Sequence, residues 1–234
     1  MEAIILAGGL GTRLQSIVNE VPKPMAPIKG EPFLKYIFEH LKRNGVSKVI
    51  LSVGYKHEKI IKYFNDNYEG INVVYSIEKE LLGTGGAIRK ALSFTKEKNV
   101  IVLNGDTFFD VNLRLLMDKH EENNSDLTIA LKSMRNFDRY GTVLLQQNRI
   151  MKFQEKRYEK YGNINGGIYV IKKRIFKDKE YNLSEKFSFE KDFIEKNMNK
   201  LKMFGFVFNG YFVDIGIPED YQKANIKLPN YFNI

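Results

Sequence analysis

The sequence predicts an α/β fold in three layers, a mostly parallel central sheet between helices, with a small β-rich insertion. Three observations predict it. Short apolar runs alternate with stretches of helical periodicity as far as residue 103. A glycine-rich turn follows the first apolar run directly, as it does where a strand feeds a ligand-binding loop. Beyond Asp106 the alternation loosens, and residues 140–171 carry the composition of short strands and turns.

Taken in order, Ala3–Ala7 is apolar and bounded by glycines, hence a buried strand. From Glu31 to Asn44, Phe33, Leu34, Ile37, Phe38 and Leu41 recur on one helical face, with Pro32 near the start and Gly45 just past the end. Val49–Val53 is the second strand, His57–Asn67 a helix, Ile71–Ser76 a strand, Gly86–Phe94 a helix and Val100–Leu103 a strand. Strands spaced by helices of this length form βαβ units with right-handed crossovers. A helix at Leu113–Glu122 leads into a strand at Leu127–Leu131. The β-rich stretch reads as an inserted lid or substrate subdomain ending in Gly166–Ile171. A helix at Phe189–Asn197 and strands at Met203–Val207 and Tyr211–Ile215 then return to the α/β layer. A last helix opens at Pro218. Without repeats, linkers or low-complexity tracts, residues 1–234 make one domain with two halves, about 1–110 and 111–234.

Composition removes several function classes. The chain has no cysteine, so disulfides, thiolate zinc sites and cysteine nucleophiles are all excluded. Its three histidines, His40, His57 and His120, are too far apart to share a metal by sequence spacing. No run of about 18 apolar residues is present, so no membrane span is expected. The opening residues lack a basic signal region, and a cytoplasmic protein is expected. The net charge of +9 raises nucleic-acid binding, but acidic and basic residues interleave in both halves. The densest basic run is only Lys172–Arg174. An anionic small substrate fits this field better than a nucleic acid.

Gly8-Gly9-Leu10-Gly11-Thr12-Arg13 lets the backbone turn sharply and bring its N–H groups to an anion. It is not a Walker loop, since Gly-Lys-Ser/Thr is absent, and Leu14 stands where a dinucleotide fingerprint needs a small residue. It carries instead Arg13, a fixed cation whose planar fork suits phosphate oxygens. In Pro22-Lys23-Pro24-Met25 two prolines hold Lys23 on what reads as a stiff extended segment. Asp106 ends a strand at the carboxyl edge of the sheet, and Asp214 lies near the end of another. Each could be a turn or cap residue; together they are the hard oxygen pair that Mg²⁺ accepts beside water and phosphates. Glu78 could accept from the N1–H and amine of guanine, or face solvent at a strand end.

These residues carry a resemblance. Leu6–Leu14 and Pro22–Met25, followed by Leu82-Gly-Thr-Gly-Gly86, Leu103-Asn-Gly-Asp106, Phe153–Lys156, Asn165–Tyr169 and Val213–Gly216, resemble the signature of the sugar-1-phosphate nucleotidylyltransferase family. The blocks keep the family's order and span residues 3–221. The resemblance implies a Rossmann-like three-layer nucleotidyltransferase fold whose first half binds nucleotide and whose second half binds sugar. It implies nucleotide contacts at Leu6, Ala7, Gly8, Gly9, Gly11, Thr12, Glu78, Gly83 and Thr84. Arg13 would serve the departing pyrophosphate, Lys23 the α-phosphate, and Asp106 and Asp214 the Mg²⁺ cofactor. Glu155 would bind sugar hydroxyls and Lys156 the sugar phosphate, with Asn165, Gly166 and the Gly141 backbone contacting the sugar. Arg157 replaces the family's proline after that lysine. Phe187–Asp192 resembles a block that closes the sugar side, although Glu190 could instead cap or pair on a helix.

The Leu-Gly-Thr-Gly-Gly block and the Phe212–Tyr221 stretch are similar to members that join GTP to D-glycero-α-D-manno-heptose 1-phosphate, giving GDP-heptose for bacterial surface polysaccharide. Mannose 1-phosphate with GTP is the near alternative, and uridylyl or thymidylyl transfer to glucose 1-phosphate the next. A catalytically inactive nucleotide-sugar-binding regulator is the reading from another class. GTP and a sugar 1-phosphate are the expected partners, with neither nucleic acid nor membrane; a homo-oligomer stays open.

Overall fold

The alternation of side chains along the first strand decides the layering. In the computed structural model, which describes all residues except 10, 12, 13, 15–17, 19, 155, 178–180, 233 and 234, β1 (Glu2–Ala7) is buried on both faces. Ala3, Ile5 and Ala7 join one apolar cluster and Ile4 another. A strand that must satisfy two cores in this way has helices above and below it.

After β1 come a two-stranded hairpin, β2 (Pro27–Ile28) and β3 (Glu31–Pro32), then α1 (Phe33–Arg43), β4 (Lys48–Val53) and α2 (His57–Phe64). The short β5 (Asn67–Tyr68), then β6 (Ile71–Ile77), α3 (Gly83–Ala91) and β7 (Asn99–Asn104), complete the first half. β1 pairs in parallel with β4 and with β7, and β4 with β6. The chain therefore winds outward from β1 to β6, and α3 carries it back to the other side of β1. Where an open sheet reverses direction like this, a crevice opens at the carboxyl ends of the two strands. The expected helices begin or end a few residues from their sequence limits. Glu31 and Pro32 form a strand, and α2 stops at Phe64 because Asn65 takes a left-handed φ of 49°.

The second half is built differently. Thr107–Phe109 is β8, and Asn112 caps α4 (Leu113–Glu122) by accepting from Leu115 N at 2.9 Å. β9 (Leu127–Phe137), β10 (Thr142–Gln146), β11 (Arg149–Gln154) and β12 (Glu159–Lys172) follow. β13 (Met203–Phe208), β14 (Phe212–Asp214) and α5 (Pro218–Phe232) close the chain. The β-rich stretch is not a detached lid. β12 runs antiparallel between β7 and β9, so the ten-stranded sheet continues through it as β10-β11-β13-β9-β12-β7-β1-β4-β6-β5. Its apolar end, Ile168–Ile171, lies in the core between β7 and β9, whereas its polar start pairs with β9 and, at Ile164, with Thr142 of β10. Among the described residues parallel pairing is thus confined to β7-β1-β4-β6 and to β9 with β13.

Two further expectations change. The helix over Phe189–Asn197 is a π-helical turn at Phe189–Ile194 and a 3-10 turn. Phe189, Phe193 and Ile194 are all driven into the same core, and a widened turn aims them there. The last strand does not rejoin the main sheet; β14 pairs antiparallel with β8 in a sheet of two. β8 lies just past the end of β7, and Ile215 N donates to Asp106 O at 3.0 Å beside this pairing.

α1, α2, α4 and α5 pack on one face through Phe38, Phe64, Leu116 and Leu228. α3 and the Phe189–Ile194 turn cover the other through Ile88 and Phe193. Among the described residues no helix is long and apolar enough to cross a membrane.

Candidate active site

The crevice beside β1 is walled by the glycine turn. Gly8 is packed so closely that a Cβ there would come within 2.7 Å of Glu78 Oε1. Gly11 has φ +63°, and a Cβ on it would stand 2.7 Å from the Lys23 Cβ. Only glycine accepts both that backbone and that neighbour. The turn and Lys23 are therefore one packed unit.

Lys23 is fixed, but not on an extended segment. Pro22 is extended, with φ −65° and ψ 150°, and Lys23–Met25 then makes a 3-10 turn closed by Ala26 N to Lys23 O at 3.0 Å. Pro24 suits such a first turn, where its missing N–H leaves no bond unmade. The Lys23 side chain is 9% exposed, with Nζ 2.6 Å from Asp106 Oδ2 and 3.9 Å from Asp214 Oδ1. The β8–β14 pairing places Thr107 opposite Asp214 and so brings the two aspartates together across 108 residues of sequence. Thr107 Oγ1 donates to Asp106 Oδ1 at 3.2 Å and Gly216 N to Asp214 Oδ1 at 2.7 Å.

Two cavities meet at this cluster. The larger, about 570 Å³, is lined by Leu6, Ala7, Gly8, Gly9, Gly11, Lys23, Glu78, Gly83, Thr84 and Asp106, all expected from sequence. Glu78 is clamped at its base: Ser52 Oγ donates to Oε1 at 3.0 Å and Leu82 N to Oε2 at 3.1 Å. Its carboxylate is an oriented acceptor and not a solvent-facing strand end. The positive end of α3 opens onto the same space at Gly83 and Thr84. The smaller cavity, about 170 Å³, is lined by Gly141, Lys156, Asn165 and Asp214 together with Arg139, Tyr140 and Asp220. Gly216 borders both.

One residue expected to contact the sugar lies outside both cavities. Gly166 lines neither cavity; the space over its Cα is taken by the Phe109 ring at 2.5 Å and Ala130 O at 2.8 Å. A register shift between Asn165 and Ile168 turns the chain there, and that bulge points Gly166 at the core. Thr12, Arg13 and Glu155 lie outside the described residues.

Several lining residues escaped the sequence reading. Arg139 ion-pairs with Asp220, which also accepts from Lys223 Nζ at 3.1 Å. Burial works to raise the Asp220 carboxyl, but these hydrogen bonds outweigh it and hold it below the usual range. Tyr140 is pushed up to about 12 by burial and then by the nearby Asp214 charge, so its phenol stays a donor. Glu190 lines the larger cavity. It is brought there by Phe187, whose backbone exchanges hydrogen bonds of 3.0 Å with Leu82 and Gly85. Asn104 and Lys186 line the same cavity, as do Pro24, Leu81 and Ala87. Asn104, next to the Gly105-Asp106 pair at a strand end, was open to detection; the rest depend on folding partners far away in sequence.

Two carboxylates bridged by an ammonium show that this point of the fold accepts a cation, and both are the hard oxygen donors that Mg²⁺ takes. Among the described residues no third acidic or histidine ligand joins them, so water and phosphate oxygens would fill the remaining positions.

Comparison with known proteins agrees with the geometry. The model of the Nucleotidyl transferase family matches residues 2–230. D-glycero-alpha-D-manno-heptose 1-phosphate guanylyltransferase of Aneurinibacillus thermoaerophilus is 55% identical over 231 residues, which cover 99% of this chain and all of that one. The enzyme of the same name from Campylobacter jejuni is 54% identical over 222 residues, covering 94% of this chain and 97% of its own. The crystal structure of HddC from Yersinia pseudotuberculosis complexed with GMP-PN superposes with a TM-score of 0.85 at 40% identity, covering 97% of this chain and 98% of that one.

Proposed function

The chain belongs to the nucleotidyl transferase family, and from that premise we propose that it transfers GMP from GTP to D-glycero-α-D-manno-heptose 1-phosphate, releasing pyrophosphate and GDP-heptose. The observation that carries the reading is the meeting of two cavities at Lys23, Asp106, Asp214 and Gly216. A triphosphate in one and a sugar phosphate in the other would bring their phosphates to one cation-binding point. The names of relatives matched along their whole length supply the base and the sugar.

The chemistry needs little of the protein beyond placement and charge. A phosphate monoester has its second pKa near 6 and is already an oxyanion at neutral pH. It attacks the α-phosphorus in line, the bond to the β-phosphate bridging oxygen breaks, and pyrophosphate leaves with the electron pair. No general base is required, which suits a site whose histidines lie elsewhere. Lys23 would neutralise the α-phosphate, and Arg13 the departing pyrophosphate. Family members generally use a divalent metal; here Asp106 and Asp214 would hold it, and we take it to be Mg²⁺. When bound, it neutralises phosphate charge and sets the geometry of the oxygens around it. Glu78, oriented by Ser52 and Leu82 N, would accept from the guanine N1–H and amine. Lys156 would take the sugar phosphate and Asn165 a sugar hydroxyl. The sugar nucleotide would serve surface-polysaccharide synthesis.

The test is pyrophosphate release with four nucleoside triphosphates against heptose, mannose and glucose 1-phosphates in Mg²⁺. Turnover fastest with GTP and heptose 1-phosphate is expected. Equal rates with mannose 1-phosphate would overturn the sugar assignment, and no turnover with any pair would overturn the activity.

A further inference from the structure

The two cavities are joined by a chain of side chains whose hydrogen-bond polarity is fixed throughout. Gly167 N can only donate, and it donates to Asn165 Oδ1 at 2.9 Å. The Asn165 amide nitrogen must then face Tyr169, to whose hydroxyl it donates at 2.8 Å. Tyr169 has one proton, and it goes to Glu190 Oε1 at 2.9 Å. From the other side, Phe189 N donates to Thr84 Oγ1 at 2.8 Å, so the Thr84 proton is directed to Glu190 Oε2 at 3.0 Å. Ser188 Oγ, itself accepting from Lys191 N at 3.2 Å, adds a longer contact of 3.4 Å to that oxygen.

Every arrow ends on Glu190, whose carboxyl oxygens are the acceptors of the whole chain. Among the described residues it has no cation partner; hydroxyl groups alone hold it. Asn165 lines the smaller cavity, Glu190 and Thr84 line the larger, and Tyr169, fully buried, touches neither. Burial also keeps the Tyr169 phenol protonated, as the relay requires. Its ring is fixed edge-on against Phe189 at 5.4 Å between centroids.

We propose that Tyr169 is a positioning residue that locks the Asn165 amide and the Glu190 carboxylate in one orientation, so that the acceptor-sugar cavity and the nucleotide cavity are set by a single hydrogen-bond relay. The inference rests on the assignment of the two cavities above, but not on which sugar or base occupies them. Without the hydroxyl, the Asn165 nitrogen and Glu190 Oε1 both lose their partner. The amide is then free to turn, and the acceptor sugar meets a donor that is no longer prealigned. The nucleotide side keeps the Thr84 bond and changes less.

The test is Tyr169→Phe, which removes one oxygen and keeps the ring, measured with whichever acceptor and triphosphate the wild type turns over best. The KM for the sugar phosphate rises at least tenfold, while the KM for the triphosphate stays within about twofold. The thermal stabilisation given by the triphosphate alone is retained. Phe193→Leu, in the same apolar cluster, is the packing control and lowers the melting temperature without that split. Glu190→Ala, which removes the acceptor of the Tyr169 hydroxyl, also raises the sugar-phosphate KM from across the relay, and combined with Tyr169→Phe it adds less than the product of the two single effects. Unchanged KM values in Tyr169→Phe, parallel rises for both substrates, or the same split in Phe193→Leu overturn the proposal. Should Tyr169→Phe not fold, Glu190→Ala, which takes away the acceptor of the Tyr169 hydroxyl, decides alone, and an unchanged sugar-phosphate KM refutes the relay. A wild type that prefers another sugar or base corrects the substrate assignment and leaves this result readable.

Discussion

Replacing Lys23 by methionine separates the two tasks that its ammonium performs. With no ligand bound, that ammonium is the counter-ion of both site aspartates, at 2.6 Å from Asp106 and 3.9 Å from Asp214. A charge pair about 4 Å apart is worth roughly 4 kcal/mol gross at the effective dielectric of a protein surface. The two carboxylates are 38% and 26% exposed, so screening and the desolvation of Lys23 reduce the net loss to about 1–2 kcal/mol. For a chain of this size that is a melting temperature roughly 2–8 °C lower in metal-free buffer. Methionine keeps most of the buried stem, which limits any packing contribution. The variant also removes the ammonium from between the aspartates, so added Mg²⁺ raises its melting temperature more than it raises that of the wild type, in which the cation must displace that ammonium. Turnover falls on the order of 10²–10³, the cost of one electrostatic stabiliser at a reacting phosphate. Differential scanning fluorimetry with and without Mg²⁺, beside a pyrophosphate-release assay, reads all three effects. A variant with wild-type turnover, or with the same Mg²⁺ response as the wild type, refutes the reasoning.

Other expectations follow from the same geometry. Asp106→Asn and Arg13→Ala each nearly abolish pyrophosphate release while circular dichroism shows an intact fold; a folded variant of either with full activity would sink the assignment of the site. Gly11→Ala forces a left-handed backbone and a contact 2.7 Å from the Lys23 Cβ, so it lowers stability by about 1–3 kcal/mol and turnover with it. Denaturant unfolding and kinetics check both parts, and a neutral result in both contradicts the packed-unit description. His40 and His120 are each lowered from 6.5 to about 4, in both cases by burial first, with Arg43 acting on the former and Lys172 on the latter in the same direction. Nearby Asp110 and Asp126 oppose the shifts without reversing them. The unfolded chain therefore takes up protons that the folded one refuses as pH falls from 6.5 towards 4, and stability drops across that window. Above 6.5 these groups make no difference. Urea unfolding at pH 7.5, 6.0 and 5.0 measures the slope, and identical free energies at all three would exclude it.

The glycine turn, Lys23 and the first four parallel strands were legible because each is local. An apolar run of period two beside a stretch of period 3.6 reports its own structure, and turn residues act over three or four positions. The β-rich half was less legible for the same reason. Its strands are defined by partners: β12 extends the main sheet only because β7 and β9 offer it two edges. Likewise the aromatic spacing at Phe189 and Phe193 suits a helix, but their common burial against Phe176 and Tyr169 widens the turn.

The sequence by itself determined the chemistry available to this protein: a glycine turn suited to an anion, a proline-flanked lysine, two aspartates beside strands, and neither cysteine nor clustered histidine. Residue type and short-range spacing suffice for that, because protonation, ligand hardness and backbone freedom are properties of single residues and their neighbours. Only the tertiary structure decided how those groups meet. The pairing of β8 with β14 sets Asp106 beside Asp214, the bulge turns Gly166 to the core, and the buried Tyr169 ties Asn165 to Glu190. Apart from the Asn165–Tyr169 bond, such contacts join residues about twenty to more than a hundred positions apart, and no periodicity in the chain records which distant edge a strand will meet.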